Sequence, residues 1–584
     1  MKKKNTSVSK LFHRLAPHRG LLALALLSAV VSISLTLLIP VLVGQAVDNI
    51  IDRGKVYFDA VLRIILYIAA AIVGVSVCQW LMNCLVNVIS FRIVRDLRRD
   101  IFRKLNTVPL SYIDTHAHGD LISRVINDVD AVGDGLTQIC LQLFSGVVTI
   151  VGTLIFMLVI DWRIAIAVFV LTPLSLFLAA FIGRLTHRRF TEQQLLQGDI
   201  SSYVEEHVGN QRIVKAFSYE ERAYGDFEEL NQTLYDVGFK AQFAGALANP
   251  STRFVNALVY AAVAVFGALT VLSGGLTIGG LSCFLTYANQ YTKPFNEVTG
   301  VLTQLQTGLA AADRVFEVLG EKDEIPDDDK ISDTRSVRGN VEIRDISFSY
   351  VPEKPLIRHF SLSVPSGCHV AIVGPTGCGK TTLINLLMRF YEINEGGIYL
   401  DGTDIRDMKR DALRRCYGMV LQDSWLFEGT IMENLRYGNA DATDEDVIAA
   451  AKSAHAHSFI RKMPKGYQTV ISEGGGNLSQ GQKQLLCIAR TMLTDPSVLI
   501  LDEATSSIDT LTEIRVQKAF TKMMKGRTSF VVAHRLSTIK ESDVILVLKD
   551  GNIIEQGSHE ELLRQHGFYY NLYHSQFANS DAGE

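Results

Sequence analysis

The sequence predicts an all-α, six-helix membrane domain followed by an α/β domain built around a phosphate-binding loop. Three observations carry that prediction. Apolar residues of the 584-residue chain crowd ahead of position 310, in runs long enough to cross a bilayer. Beyond about position 341 the pattern changes to short β-branched strands alternating with helices. Within that second region a glycine-rich loop joins an apolar strand to a helical run.

Uncharged stretches occupy residues 21–47, 64–91, 135–160, 164–183 and 254–292. A span needs about 20 apolar residues, so the last stretch is too long for one crossing. It breaks at Ser273-Gly274-Gly275 and Gly279-Gly280, which reads as a tight turn between two helices. Six spans follow, near 21–47, 64–91, 135–160, 164–183, 254–272 and 281–303. The first exceeds a signal-peptide core and lacks a small-residue cleavage site after a short apolar run. Loops 92–134 and 184–253 are long, charged and helix-prone, so the membrane helices are expected to extend into the cytosol as two hairpins. The first opens with Arg92, Arg95, Arg98, Arg99, Arg103 and Lys104, which places it, both termini and everything beyond residue 320 in the cytosol.

The expected organisation is a membrane domain at 1–319, an acidic Pro-containing linker at 320–340 and a soluble domain at 341–584. Mean hydropathy of +0.19 excludes a disordered chain and argues against a wholly soluble enzyme. Net charge is -4, which gives nucleic-acid binding no support. Eight scattered cysteines without a CxxC pair argue against a zinc site or disulfide framework.

Polar residues in the spans repeat at helical spacing: Trp80, Asn83 and Asn87, then Gln138 and Gln142. Interhelical hydrogen bonding accounts for such patterns more simply than a substrate-facing wall. The spans are read as carrying no charge near their centres, which points to an amphipathic rather than a strongly ionic cargo.

In the soluble domain, strand Ala371-Ile372-Val373 leads into Gly374-Pro375-Thr376-Gly377-Cys378-Gly379-Lys380-Thr381, followed by helical residues from Thr382. This is GxxxxGK[ST] in its strand–loop–helix setting. Backbone N–H groups and the helix N-terminus would cradle phosphates, Lys380 would neutralise them, and the Thr381 hydroxyl would hold Mg2+. The loop's position also suggests a reactive Cys378 thiol. A second apolar strand, 498–501, ends in Asp502-Glu503. Asp502 suits the Mg2+ shell, and Glu503 is placed to orient or deprotonate an attacking water.

Asn477-Leu478-Ser479-Gln480-Gly481-Gln482, 23 residues ahead of Asp502 and leading a helix, narrows the choice. With it, the chain resembles an ATP-binding-cassette (ABC) transporter over essentially its whole length, of the exporter half-transporter type that moves drugs or lipids. The resemblance implies further roles. Tyr350 would stack on adenine, and Gln422 would touch Mg2+ and relay nucleotide state. Ser479, Gln480, Gly481 and Gln482 would form the signature that closes on the partner subunit's ATP. Asp509, after Ser506-Ser507-Ile508, would couple the two sites, and His534 would contact the γ-phosphate beside the catalytic Glu503. The loop tips near Tyr112-Ile113-Asp114-Thr115-His116 and Ala216-Phe217-Ser218-Tyr219 resemble coupling helices.

One departure is Gln480, where the family usually has glycine. The resemblance implies an obligate dimer using ATP and Mg2+ in a bacterial cytoplasmic membrane, with the ATPase domain cytosolic. The signature, Glu503 and the tail Gly567-Phe568-Tyr569-Tyr570 through Ser575-Gln576-Phe577 resemble the catalytically complete subunit of heterodimeric bacterial exporters. A heterodimer is therefore favoured over a homodimer. The expected activity is ATP-driven export of a drug, lipid or lipopeptide. A siderophore-type importer and an ATP-gated channel or regulatory subunit are the alternatives.

Overall fold

The computed structural model describes residues 2–50, 56–327, 329–332, 334, 337–421, 424–502, 509–532 and 536–576. The chain divides into two compact units. One comprises Met1–Thr107 and His116–Glu321, the other Val108–Thr115 and Lys322–Glu584.

The first unit is helical. Its main elements are α1 (Arg19–Asp48), α2 (Phe58–Leu105), α3 (Phe144–Ile160), α4 (Trp162–Gly209), α5 (Glu220–Ala246), α6 (Ala248–Leu272) and α7 (Ile278–Leu319). Among the described residues, four helical stretches are long and apolar enough to cross a membrane: Val8–Asp48, Phe58–Leu105, His118–Ile160 and Arg253–Leu272. Helices α4 and α7 carry the other two expected runs. Helix α2, with 48 residues, is about 72 Å long, more than twice a ~30 Å hydrocarbon layer. Its charged half therefore continues beyond the apolar run as the same helix.

Local chemistry sets the boundaries. Asp161 caps α4 by accepting from Arg163 N at 2.8 Å and Ile164 N at 3.3 Å. Gly274, at φ +75°, makes the turn between α6 and α7 that the glycine cluster predicts. Helices α1 and α7 meet backbone to backbone: a Cβ on Gly44 would lie 2.6 Å from the Gly279 carbonyl oxygen. Beside this contact the Asp48 carboxylate accepts from Gly279 N at 2.7 Å, satisfying one of the donors that a helix start leaves open. An apolar cluster including Leu37, Met157, Val259, Phe284 and Tyr287 fills the bundle. Further along, buried Arg124 bridges Asp120 at 2.8 Å and Glu317 at 3.1 Å, while buried Asp128 pairs with Arg314.

The second unit is α/β. Its strands are β1 (Val341–Phe348), β2 (Ile357–Val364), β3 (His369–Val373), β4 (Glu395–Leu400), β5 (Thr403–Asp404), β6 (Tyr417–Val420), β7 (Gly429–Thr430), β8 (Val470–Ile471), β9 (Val498–Asp502), β10 (Thr528–Val532), β11 (Val544–Lys549) and β12 (Asn552–Gly557). The main sheet runs β12-β11-β3-β10-β9-β6, parallel except for edge strand β12. An antiparallel sheet, β2-β1-β4-β5, lies in the same unit. Strands β3, β9 and β10 are almost wholly buried, which explains why they read as continuous apolar runs rather than alternating ones. Helix α8 (Lys380–Leu387) follows β3, α9 (Gln480–Met492) precedes β9, and α10 (Thr510–Met524) precedes β10.

A charged network anchors residues 324–327 to this unit. The Arg410 guanidinium, almost completely buried, donates to Ile325 O at 2.7 Å and Glu392 Oε1 at 2.7 Å. Its backbone N–H donates to Asp327 Oδ2 at 3.0 Å. Burial opposes ionisation of Asp327, but bonds from Lys330 and Arg410 outweigh it and hold the carboxyl below its ordinary range.

Candidate nucleotide site

The phosphate loop runs from the C-terminal end of β3 to the start of α8. In open parallel sheets, ligands bind beyond that strand edge. Gly379 precedes α8 at φ +103°, a conformation that suits glycine, so the helix start is left open to a ligand. Gly374 is crowded: a Cβ there would collide with Leu548 O and lie 2.7 Å from Cys378 Sγ. Lys380 Nζ donates to Gly374 O at 2.8 Å and Pro375 O at 3.0 Å, which places its ammonium at the loop. Pro375, Thr376, Gly377 and Thr381 are exposed, whereas Thr382 is buried.

Cys378 departs from the sequence reading. It is 2% exposed and belongs to the apolar core of the unit, packed among residues such as Leu383 and Leu548. Its sulfur is inward, because the loop's backbone rather than its side chains faces the ligand.

Strand β9 ends at Asp502, in register with Val532 of β10, which in turn lies beside Ile372 of β3. Asp502 therefore stands at the same sheet edge as the loop, two strand positions away, or about 10 Å by ordinary strand spacing. The exposed Thr381 hydroxyl and the Asp502 carboxylate are hard oxygen donors, the type Mg2+ takes. Glu503 and Ser506-Ser507-Ile508 follow β9, and His534 follows β10, but these residues and Gln422 lie outside the described residues.

Tyr350 is half exposed, and its hydroxyl donates to Thr382 Oγ1 at 3.2 Å. Its ring stands edge-on to Phe348 at 4.9 Å and to Tyr391 at 5.0 Å. The aromatic expected at adenine is thus fastened to the residue two places after the loop lysine. Tyr391 in turn donates to Asp114 Oδ2 at 2.5 Å. Asp114 lies on the short helix Leu110–Thr115, a piece of the first long loop that groups with the second unit. Sequence reasoning singled out Asp114 but missed Tyr391, whose only signal was its place in a Phe-Tyr pair after α8.

Ser479 is exposed and caps α9. Its hydroxyl accepts from Gln482 N at 3.3 Å, and its own N–H donates to Gln482 Oε1 at 3.1 Å. Two of the four side chains expected to form the signature therefore also build the helix start. Gln480 is partly exposed and Gly481 is buried. Asp509 caps α10 by accepting from Thr512 N at 3.0 Å, a bond that holds its carboxyl below the ordinary range.

The expectation of spans without central charge fails at Lys293. This residue lies 15 positions into α7, just beyond the uncharged stretch that ends at Thr292. Trp80, Asn83 and Asn87 fall on exposed or partly exposed positions of α2, while Met82 and Val86 pack inward.

A helical membrane unit joined to an α/β unit with a phosphate loop defines an ATPase-coupled transporter, and comparison with known proteins agrees. Residues 22–295 match the ABC transporter transmembrane region model, and residues 357–506 match the ABC transporter model. The chain is 42% identical to YfiC, an uncharacterised ABC transporter ATP-binding protein of Bacillus subtilis, over 98% of this chain and 94% of the relative. It is 42% identical to the fatty acid ABC transporter ATP-binding/permease protein of Mycobacterium tuberculosis, over 90% and 83%. It is 37% identical to the ATP-dependent lipid A-core flippase of Desulfotalea psychrophila, over 97% and 99%. The chain belongs to the ABC transporter family, as an exporter-type half-transporter.

Proposed function

We propose that the protein uses ATP hydrolysis to export an amphipathic or hydrophobic compound across the bacterial cytoplasmic membrane by alternating access. The observation that carries this reading is the union, in one chain, of apolar helices with a phosphate loop and an acid-tipped strand at one sheet edge. Six spans at the stated positions would place both termini and residues 341–584 in the cytosol. Relatives named for fatty acid transport and lipid A-core flipping support a lipid-like cargo.

In this reading Tyr350 packs on adenine, and the loop from Gly374 to Thr381 wraps the phosphates. Lys380 balances their charge, while Thr381, Gln422 and Asp502 would hold Mg2+, which would shield the phosphate oxygens. Glu503 takes a proton from the attacking water, and His534 contacts the γ-phosphate. Ser479, Gln480, Gly481 and Gln482 of one cassette complete the site of the other, so the working unit is a dimer. A related half-transporter is favoured over a second copy, because Gln480 departs from the usual signature while Glu503 is kept.

Reconstitution in proteoliposomes tests this. ATP-dependent movement of a fluorescent lipid or drug, lost on Glu503→Gln, is the expected result. Movement down a gradient without hydrolysis overturns it. Expression alone, followed by mass and ATPase measurement, tests the partner: brisk turnover by a stable homodimer overturns the heterodimer reading.

A further inference from the structure

Between α1, α3 and α7 lies a cavity of about 290 Å³ lined by Thr36, Ser145, Thr149, Gln142, Gln290 and Lys293, with apolar walls that include Ile33, Leu37 and Pro294. Lys293 is about 22 Å along α7 from its first residue, which puts it near the middle of the proposed sixth span, 281–303, and so within the hydrocarbon layer on that reading. Among the described residues it forms no ion pair. A cation at that depth marks a ligand or ion pathway by default, because hydrocarbon does not tolerate it without a partner.

Three departures from regular helix meet at the same cavity. Pro40 of α1 has no N–H, so the Thr36 carbonyl loses its bond four residues on. Pro294 does the same to the Gln290 carbonyl in α7. Gln142 and Leu141 belong to a π-helical turn, Ile139–Leu143, just before α3. Irregular backbone at membrane depth is tolerated where it lines a wet or ligand-filled space. Gln290 also has a buried side-chain amide oxygen without a partner. Since amide orientation can be exchanged, this is one unsatisfied polar atom of either sense on a residue that lines the cavity.

We propose that this cavity is a headgroup site for an anionic amphipath, with Lys293 as counter-ion to its carboxylate or phosphate. The Thr36, Ser145, Thr149 and Gln142 side chains surround the headgroup, and Ile33 and Leu37 give the alkyl chain an apolar wall. The inference rests on the transporter reading and specifies its cargo.

The test uses the full chain with its working partner in nanodiscs. Four probes share one oleyl tail: oleate, oleyl phosphate, oleyl alcohol and oleylamine. Equilibrium binding and ATPase stimulation are measured for wild type, Lys293→Gln and Lys293→Arg. Oleate or oleyl phosphate is expected to bind and stimulate, and whichever is tighter identifies the headgroup. Lys293→Gln weakens that binding about 10-fold or more, Lys293→Arg retains it, and the alcohol binds both variants alike. Four probes bound equally, or anion binding indifferent to Lys293→Gln, overturns the site while leaving the transporter reading intact. Failure of any amphipath to stimulate or move sinks the parent reading instead. Glu297 follows one helical turn later in the sequence, with its side chain outside the described residues. Anion binding that responds to Glu297→Gln but not to Lys293→Gln also overturns the proposal.

Discussion

Replacing Tyr391 by Phe removes one hydroxyl and leaves the ring. The ring keeps its edge-on contacts with Phe348 and Tyr350, so packing beside Tyr350 is retained. What disappears is the 2.5 Å bond to Asp114. Burial and the adjacent carboxylate both push the Tyr391 hydroxyl up, so it stays a donor at neutral pH. A hydrogen bond to a charged acceptor contributes about 1.5–3 kcal/mol. Asp114 is exposed, so solvent screening reduces that to about 1 kcal/mol, a roughly fivefold change in the engaged population. If Leu110–Thr115 transmits nucleotide state, substrate-stimulated ATPase activity should fall about fivefold relative to basal turnover, with ATP affinity kept. Asp114→Asn should match it, and the double variant should lose no more than either alone. Full stimulation in Tyr391→Phe, or losses that add, would refute the role.

Glu503→Gln should retain ATP binding and lose hydrolysis by about 10²-fold or more, measured by phosphate release and nucleotide trapping. Turnover within threefold of wild type would sink the assignment. Cys378 should react slowly with maleimide in the native protein and quickly after unfolding, because its sulfur is buried in the core; mass spectrometry of the labelled peptide reads this. Arg410→Met should destabilise the second unit by about 3 kcal/mol, read by thermal melting, because Glu392 and Ile325 lose a buried partner. Asp327 adds a pH dependence. Its folded value is lowered, so its contribution is complete above the unfolded carboxylate range near pH 4 and is lost as pH falls through the folded value.

The membrane helices were legible because a bilayer demands unbroken apolar length, which a sequence displays directly. The phosphate loop was legible for a different reason: tight backbone curvature around phosphate requires glycine at fixed places. Other features leave weaker marks. Lys293 escaped because the charge-free reading rested on the uncharged run that ends at Thr292, while the sixth span was drawn on to residue 303 and so takes in Lys293 and Glu297. The π-helical turns at Arg124–Asp128 and Ile139–Leu143 have no residue signature, since they depend on how neighbouring helices pack. The inward turn of Cys378 follows from loop geometry, whereas its place in the loop, beside Lys380 and a helix start, had suggested reactivity. That residues 108–115 group with the second unit depends on contacts far apart in sequence, which no local pattern records.

The clasp of Asp48 on Gly279 also bears on how the protein is made. Its two halves are 231 residues apart in sequence. At a synthesis rate of about 5–20 residues per second, α1 waits roughly 10 to 50 s in the membrane before the start of α7 exists. Throughout that interval Gly44 presents an uncovered backbone groove, and Asp48 has no helix start to cap. Quality-control proteases and insertion chaperones would meet the chain in this unlatched form. A ribosome that stalls between these helices would leave a product whose first span is inserted but unsecured. Substitutions at Gly44 or Gly279 should therefore lower the amount of protein that reaches the membrane before they alter the rate of any molecule that does.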